Sequence, residues 1–165
     1  MHDFWSAYFY LHFYTVNTAK LSENVWKEAE KMLEQIQKYP QKEEYQKLVE
    51  ADRINLYERE AEKGDDRKFL EETDRVFKEN LKGDPAWKLY ERKLVYLESK
   101  QPDISREFER FLKKYPKVMD AYVEYSIYLC RNNKMTQAQR VYREGRKQTG
   151  MTSKRAEELR RKLGL

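Results

Sequence analysis

Apolar residues recur at helical spacing through nearly the whole of this 165-residue chain, and all four prolines fall between those patterns, never inside one. A proline inside a helix costs a hydrogen bond and a clash, so Pro40, Pro85, Pro102 and Pro116 mark boundaries. No strand-like alternation bounded by turns interrupts them. Punctuation at Thr18–Ser22, Tyr39–Lys42, Lys63–Asp66, Lys82–Pro85, Gln101–Asp103, Tyr115–Lys117, Asn132–Thr136 and Gln148–Thr152 predicts about nine helices in an all-α fold. Asp84-Pro85 reads as an N-cap followed by a first-turn proline, and Thr136-Gln-Ala-Gln139 as a capping box. Gly83 and Gly150 stand where helix C-termini favour a left-handed residue.

The helices alternate between two kinds. One opens with an aromatic and a second large residue three positions on: Trp5 with Tyr8, Tyr45 with Leu48, Trp87 with Tyr90, Tyr122 with Tyr125. The other carries a small residue and then a paired apolar step: Ala29 with Met32-Leu33, Thr73 with Val76-Phe77, Ala138 with Val141-Tyr142. Ser105 with Phe108, Phe111 and Leu112 is a looser copy. A large ring over a small neighbour lets two antiparallel helices approach closely, and stacked pairs bury one another's apolar faces. Trp87, Tyr90, Tyr122, Tyr125, Val76, Phe77, Ala138, Val141 and Tyr142 are the expected repeat core.

These segments resemble the HAT (half-a-TPR) repeat. Thr73-Asp-Arg-Val-Phe-Lys-Glu-Asn-Leu81 and Ala138-Gln-Arg-Val-Tyr-Arg-Glu-Gly-Arg146 are similar to its second helix. Pro85 with Trp87-Lys-Leu-Tyr90, and Pro116 with Tyr122-Val-Glu-Tyr125, resemble its first helix and leading proline. The resemblance implies a single domain over 1–165, with repeats near 1–40, 41–83, 84–116 and 117–150 and a closing helix over 152–163. It implies a right-handed α-solenoid of about four antiparallel pairs. HAT proteins, such as crooked-neck splicing factors and the suppressor-of-forked subunit of the cleavage-stimulation complex, work in RNA metabolism. The implied function is a nuclear scaffold for protein partners in splicing, 3′-end processing or ribosome biogenesis, with a cytoplasmic location as the alternative. Such proteins are usually longer, which suggests a fragment or a small relative. A TPR-type peptide-binding adaptor is the competing expectation; it needs cations converging on a carboxylate, and the sequence shows no such set.

Catalytic equipment is not visible. His2 and His12 lack metal-ligand spacing, no Gly-rich loop precedes a helix, and adjacent acids such as Glu43-Glu44, Asp65-Asp66 and Glu71-Glu72 read as solvated faces. Cys130, the only cysteine, reads as a structural thiol on a helix. The expectation is therefore no enzyme, no cofactor, no metal and no membrane span.

Two features remain. Phe4, Trp5, Tyr8, Phe9, Tyr10, Phe13 and Tyr14 surround the first helix instead of forming one stripe, which predicts an interface with a neighbouring repeat, a partner protein or a second copy. From Arg140 onward nine basic residues face three acidic ones, more than the chain's whole net charge of +5. Arg140, Arg143, Arg146 and Lys147 make one ridge, and Arg160 and Arg161 add to it; together they are the candidate RNA-phosphate contacts.

Overall fold

A computed structural model describes residues 4–16, 23–38, 43–79 and 83–165. Nine helices occur among the described residues, with no strand: α1 (Phe4–Val16), α2 (Glu23–Gln37), α3 (Glu43–Glu62), α4 (Arg67–Lys78), α5 (Gly83–Glu98), α6 (Ser105–Lys114), α7 (Met119–Arg131), α8 (Met135–Thr149) and α9 (Lys154–Lys162). The fold is all-α. Contacts divide the chain into two compact units, Met1–Asp74 and Arg75–Leu165, with the division inside α4.

In the first unit α1 packs on α2 and α3. Their shared core holds Ala7, Tyr8 and Leu11 of α1, Ala29, Leu33 and Ile36 of α2, and Val49 and Leu56 of α3. Leu48, the expected partner of Tyr45, is instead exposed. The ring of Tyr45, the side chains of Asp84 and Pro85, Thr18–Ser22 and Pro40 lie outside the described residues.

The second unit is organised around α7, which packs on α5, α6, α8 and α9. Trp87, Tyr90, Tyr122, Tyr125, Val76, Phe77, Ala138 and Tyr142 are all buried. Val141 is only half-buried. Rings interlock through this core: Phe77 lies 4.9 Å from Tyr90, Trp87 meets Phe111 edge-on at 5.0 Å, and Phe108 stacks on Tyr125 at 4.8 Å.

The large-over-small contact occurs, but about two turns along α8 from its expected place. Ala138 is fully buried, yet the residue directly beneath Tyr122 is Gly145. A Cβ added to Gly145 would lie 2.6 Å from both Cβ and Cγ of Tyr122. Only a residue without a side chain lets α7 and α8 sit this close.

Three local expectations are corrected. Thr136 is the second residue of α8, whose N-cap is Lys134 with no side-chain bond, so no capping box forms. Gln139 instead donates to the Leu163 carbonyl at 2.8 Å, tying α8 to the end of α9. Gly83 opens α5 instead of closing α4, and Asp84 is therefore the second residue of α5, not its N-cap. Gly150 does cap α8 in the left-handed region (φ 62°), and Asn133 makes the same turn (φ 58°) after α7, where the Lys134 N–H returns to the Leu129 carbonyl at 2.9 Å.

The Tyr122–Gly145 contact is testable. Gly145→Ala should lower stability by about 1–2 kcal/mol in denaturant unfolding, because overpacking outweighs the better helix propensity of alanine. In a Tyr122→Ala background the same change should be neutral or stabilising.

Candidate functional site

α6, α7 and α8 enclose a groove of about 710 Å³. Helical spacing builds each side: Ser105, Glu109 and Leu112 fall on one stripe of α6, and Gln137, Arg140 and Glu144 on one stripe of α8. The floor is α7, through Tyr122, Tyr125 and Leu129, with Leu112 and Val141 as apolar shoulders. Half-burial of Val141 follows from this position.

Three carboxylates and three cations line the groove, and their commitments differ. Asp103 is held by Lys134 Nζ at 3.0 Å and by the Ser105 N–H at 2.8 Å, and hydrogen bonds from Ser105 together with the Lys134 ammonium hold its carboxyl well below the usual range. Glu109 accepts from the Tyr125 hydroxyl at 3.2 Å. Burial, reinforced by Glu109, pushes that phenol up to about 12, so it donates at any ordinary pH. Glu144 accepts from Gln148 at 2.5 Å. Lys113 and Arg140 have no carboxylate partner among the described residues. The groove thus presents an apolar floor between two uncommitted cations, one on each wall. Sequence spacing could not reveal this pair, because Lys113 and Arg140 belong to different second-kind helices.

The basic ridge is split. Arg140, Arg143 and Lys147 are exposed on α8, as is Arg161 on α9. Arg146 and Arg160 converge on Glu157, at 3.0 and 2.8 Å, and Arg160 also donates to the Leu165 carbonyl at 3.0 Å. These two therefore share one carboxylate within the fold, and Arg155 is paired with Glu124.

The aromatic helix is two-sided. Tyr8 is buried and Phe4 and Tyr14 are half-buried against the core, whereas Trp5, Phe9, Tyr10 and Phe13 are exposed. His12 is exposed, and its Nδ1 lies 3.1 Å from both carboxylate oxygens of Asp52, which is buried in α3. The Thr15 hydroxyl donates to the same carboxylate at 2.8 Å.

Other charged residues left the surface too. Glu72, expected on a solvated face, is buried against Arg53 at 2.9 Å. Lys93 is buried, 3.1 Å from Glu107, which also accepts from the Tyr90 hydroxyl at 2.6 Å. Among the described residues no group of three or more His, Cys, Asp or Glu side chains is placed to hold a metal ion, and no helix is long and apolar enough to cross a membrane. Burial pushes the Cys130 thiol up, which disfavours the thiolate a nucleophile needs. Comparison with protein families, with curated proteins and with solved structures finds no match to this chain.

Burial alone would raise the Glu107 carboxyl, but the Tyr90 hydroxyl and Lys93 ammonium outweigh it and hold the carboxyl below its ordinary value of 4.5. A carboxylate depressed on folding stabilises above its unfolded pKa, and that contribution is lost as pH falls through the folded one. Glu107→Gln, which removes the carboxylate beside buried Lys93, should cost about 2–3 kcal/mol at neutral pH. The gap between the two proteins should hold steady down to about pH 5 and narrow below it, as read by urea unfolding across pH.

Proposed function

We propose that the chain is a non-enzymatic helical-repeat scaffold that holds protein partners in a nuclear RNA-processing assembly, as its HAT-like pattern implies. On this reading the helix pairs stack as a right-handed solenoid closed by α9. The observation that carries the binding role is the groove over α7 with Lys113 and Arg140 uncommitted. Such a groove suits a protein segment that places apolar side chains on Leu112, Leu129 and Val141 and a carboxylate toward each cation. Asp103, Glu109 and Glu144 around the same groove repel a polyphosphate backbone, which favours protein over RNA there.

Direct RNA contact is a second reading, favoured by Arg143 and Lys147 of α8 and Arg161 of α9, which do not line the acidic groove and have no carboxylate partner among the described residues. It would be phosphate contact without base specificity.

Two charge-reversed proteins separate the readings. Lys113→Glu with Arg140→Glu should lose specific proteins from quantitative affinity capture in nuclear extract, while Arg143→Glu with Lys147→Glu should retain them. Capture of an identical set by wild type and the groove variant would defeat the groove as the partner site. Binding of a mixed-sequence single-stranded RNA, followed over a salt series, should weaken and lose slope only in the Arg143/Lys147 variant. An unchanged slope there removes the RNA reading.

A further inference from the structure

We propose that α1 is a self-association surface through which two copies of this chain pair antiparallel about a twofold axis. One side of α1 is consumed by its own unit, through Ala7, Tyr8, Leu11 and Thr15. The other side carries Trp5, Phe9, Phe13 and Val16, at steps of four, four and three, which are 42%, 64%, 59% and 60% exposed. Tyr10, 55% exposed, stands on its flank. Single exposed apolar residues are ordinary, but a contiguous row of them marks an interaction surface.

The area suits a second copy. With about 200 Å² for each large side chain, the exposed fractions leave roughly 450 Å² of surface on each row, and about 560 Å² with Tyr10. Two facing copies would hide about 900–1,100 Å², the low end of specific interfaces and the range of a weak, reversible dimer.

The row also reads nearly the same in both directions. A twofold axis level with residue 11 sets Phe9 opposite Phe13 of the second copy and leaves Trp5 within one residue of Val16. That is the self-complementary arrangement an isologous dimer requires. Along about 16 Å of helix the aromatic rings can interleave edge-on or offset. α1 contains no Asp, Glu, Lys or Arg, so two identical helices meet without like-charge repulsion. A lipid surface is a poorer fit, because interfacial helices bring Lys and Arg on their polar face to the headgroups, and α1 has neither. The row lies outside the groove, so self-association stands or falls independently of the scaffold reading.

Sedimentation velocity on the full chain from sub-micromolar to tens of micromolar is the test. Wild type should convert reversibly from monomer to dimer, and Phe9→Glu with Phe13→Glu should weaken the dimer at least about tenfold with unchanged helical circular dichroism. A monomeric wild type at every concentration, or a dimer that survives the double variant, overturns the proposal. A monomer that floats with phosphatidylcholine vesicles overturns it in favour of lipid. If the double variant fails to fold, disulfide trapping in a Cys130→Ser background decides. Phe9→Cys mixed with Phe13→Cys should form the crossed disulfide faster than either forms it with itself, and equal rates would overturn the pairing.

Discussion

The second unit depends on how closely α7 and α8 can approach, and that approach depends on Tyr122 lying over a residue with no side chain. With Gly145 beneath it, the ring lets α8 approach closely and bury its Ala138 and Tyr142. α7 can then be covered on its remaining sides by α5, α6 and α9. Everything at the groove follows, because its two walls are α6 and α8 and its floor is the helix they share.

Tyrosine is what makes so charged a chain foldable. Thirteen tyrosines bring buriable surface to a sequence of which 38% is charged, and their hydroxyls reconcile that surface with the carboxylates around it. Three of the second unit's hydroxyls reach α6 or the residue that precedes it. Tyr90 donates to Glu107, Tyr125 to Glu109, and Tyr128 lies 3.1 Å from the Ile104 N–H, which donates to it at the helix start. Each ring packs in the core while its oxygen reaches the polar edge. The first unit solves the same problem by giving its buried carboxylates side-chain partners, placing Asp52 against His12 and Thr15, and Glu72 against Arg53. Because a buried carboxylate without a partner is expensive, these contacts also specify which helix faces meet.

How much was legible can be followed through particular residues. The helices and most boundaries were readable, since proline position and apolar period are local properties. Trp87, Tyr90, Tyr122, Tyr125 and Ala138 were readable as core from the same period. Caps were read less well: Thr136 had a capping-box pattern, but α8 begins one residue earlier, and Gln139 found a better acceptor in α9. The small residue was sought at Ala138, whereas the ring rests on Gly145, because which rung of a helix lies under a ring depends on how far two helices slide. The candidate RNA ridge looked continuous in one dimension, and Glu157 split it by drawing in Arg146 and Arg160.

By itself the sequence determined that this chain is all-helical, where its helices run, and that aromatic residues on one kind of helix pack over the other. These follow from backbone sterics and a 3.6-residue period, which act between near neighbours. Only the tertiary structure decided which charges are spent and which remain available. Lys113 and Arg140 look no different in sequence from Lys93 or Arg146, yet the second pair is engaged by carboxylates within the fold and the first is open at the groove. The same holds for α1, whose rings look alike along the chain until α2 and α3 cover one side and leave Phe9 and Phe13 on the other. Burial and pairing are relations between segments far apart in the chain, and no local pattern encodes them.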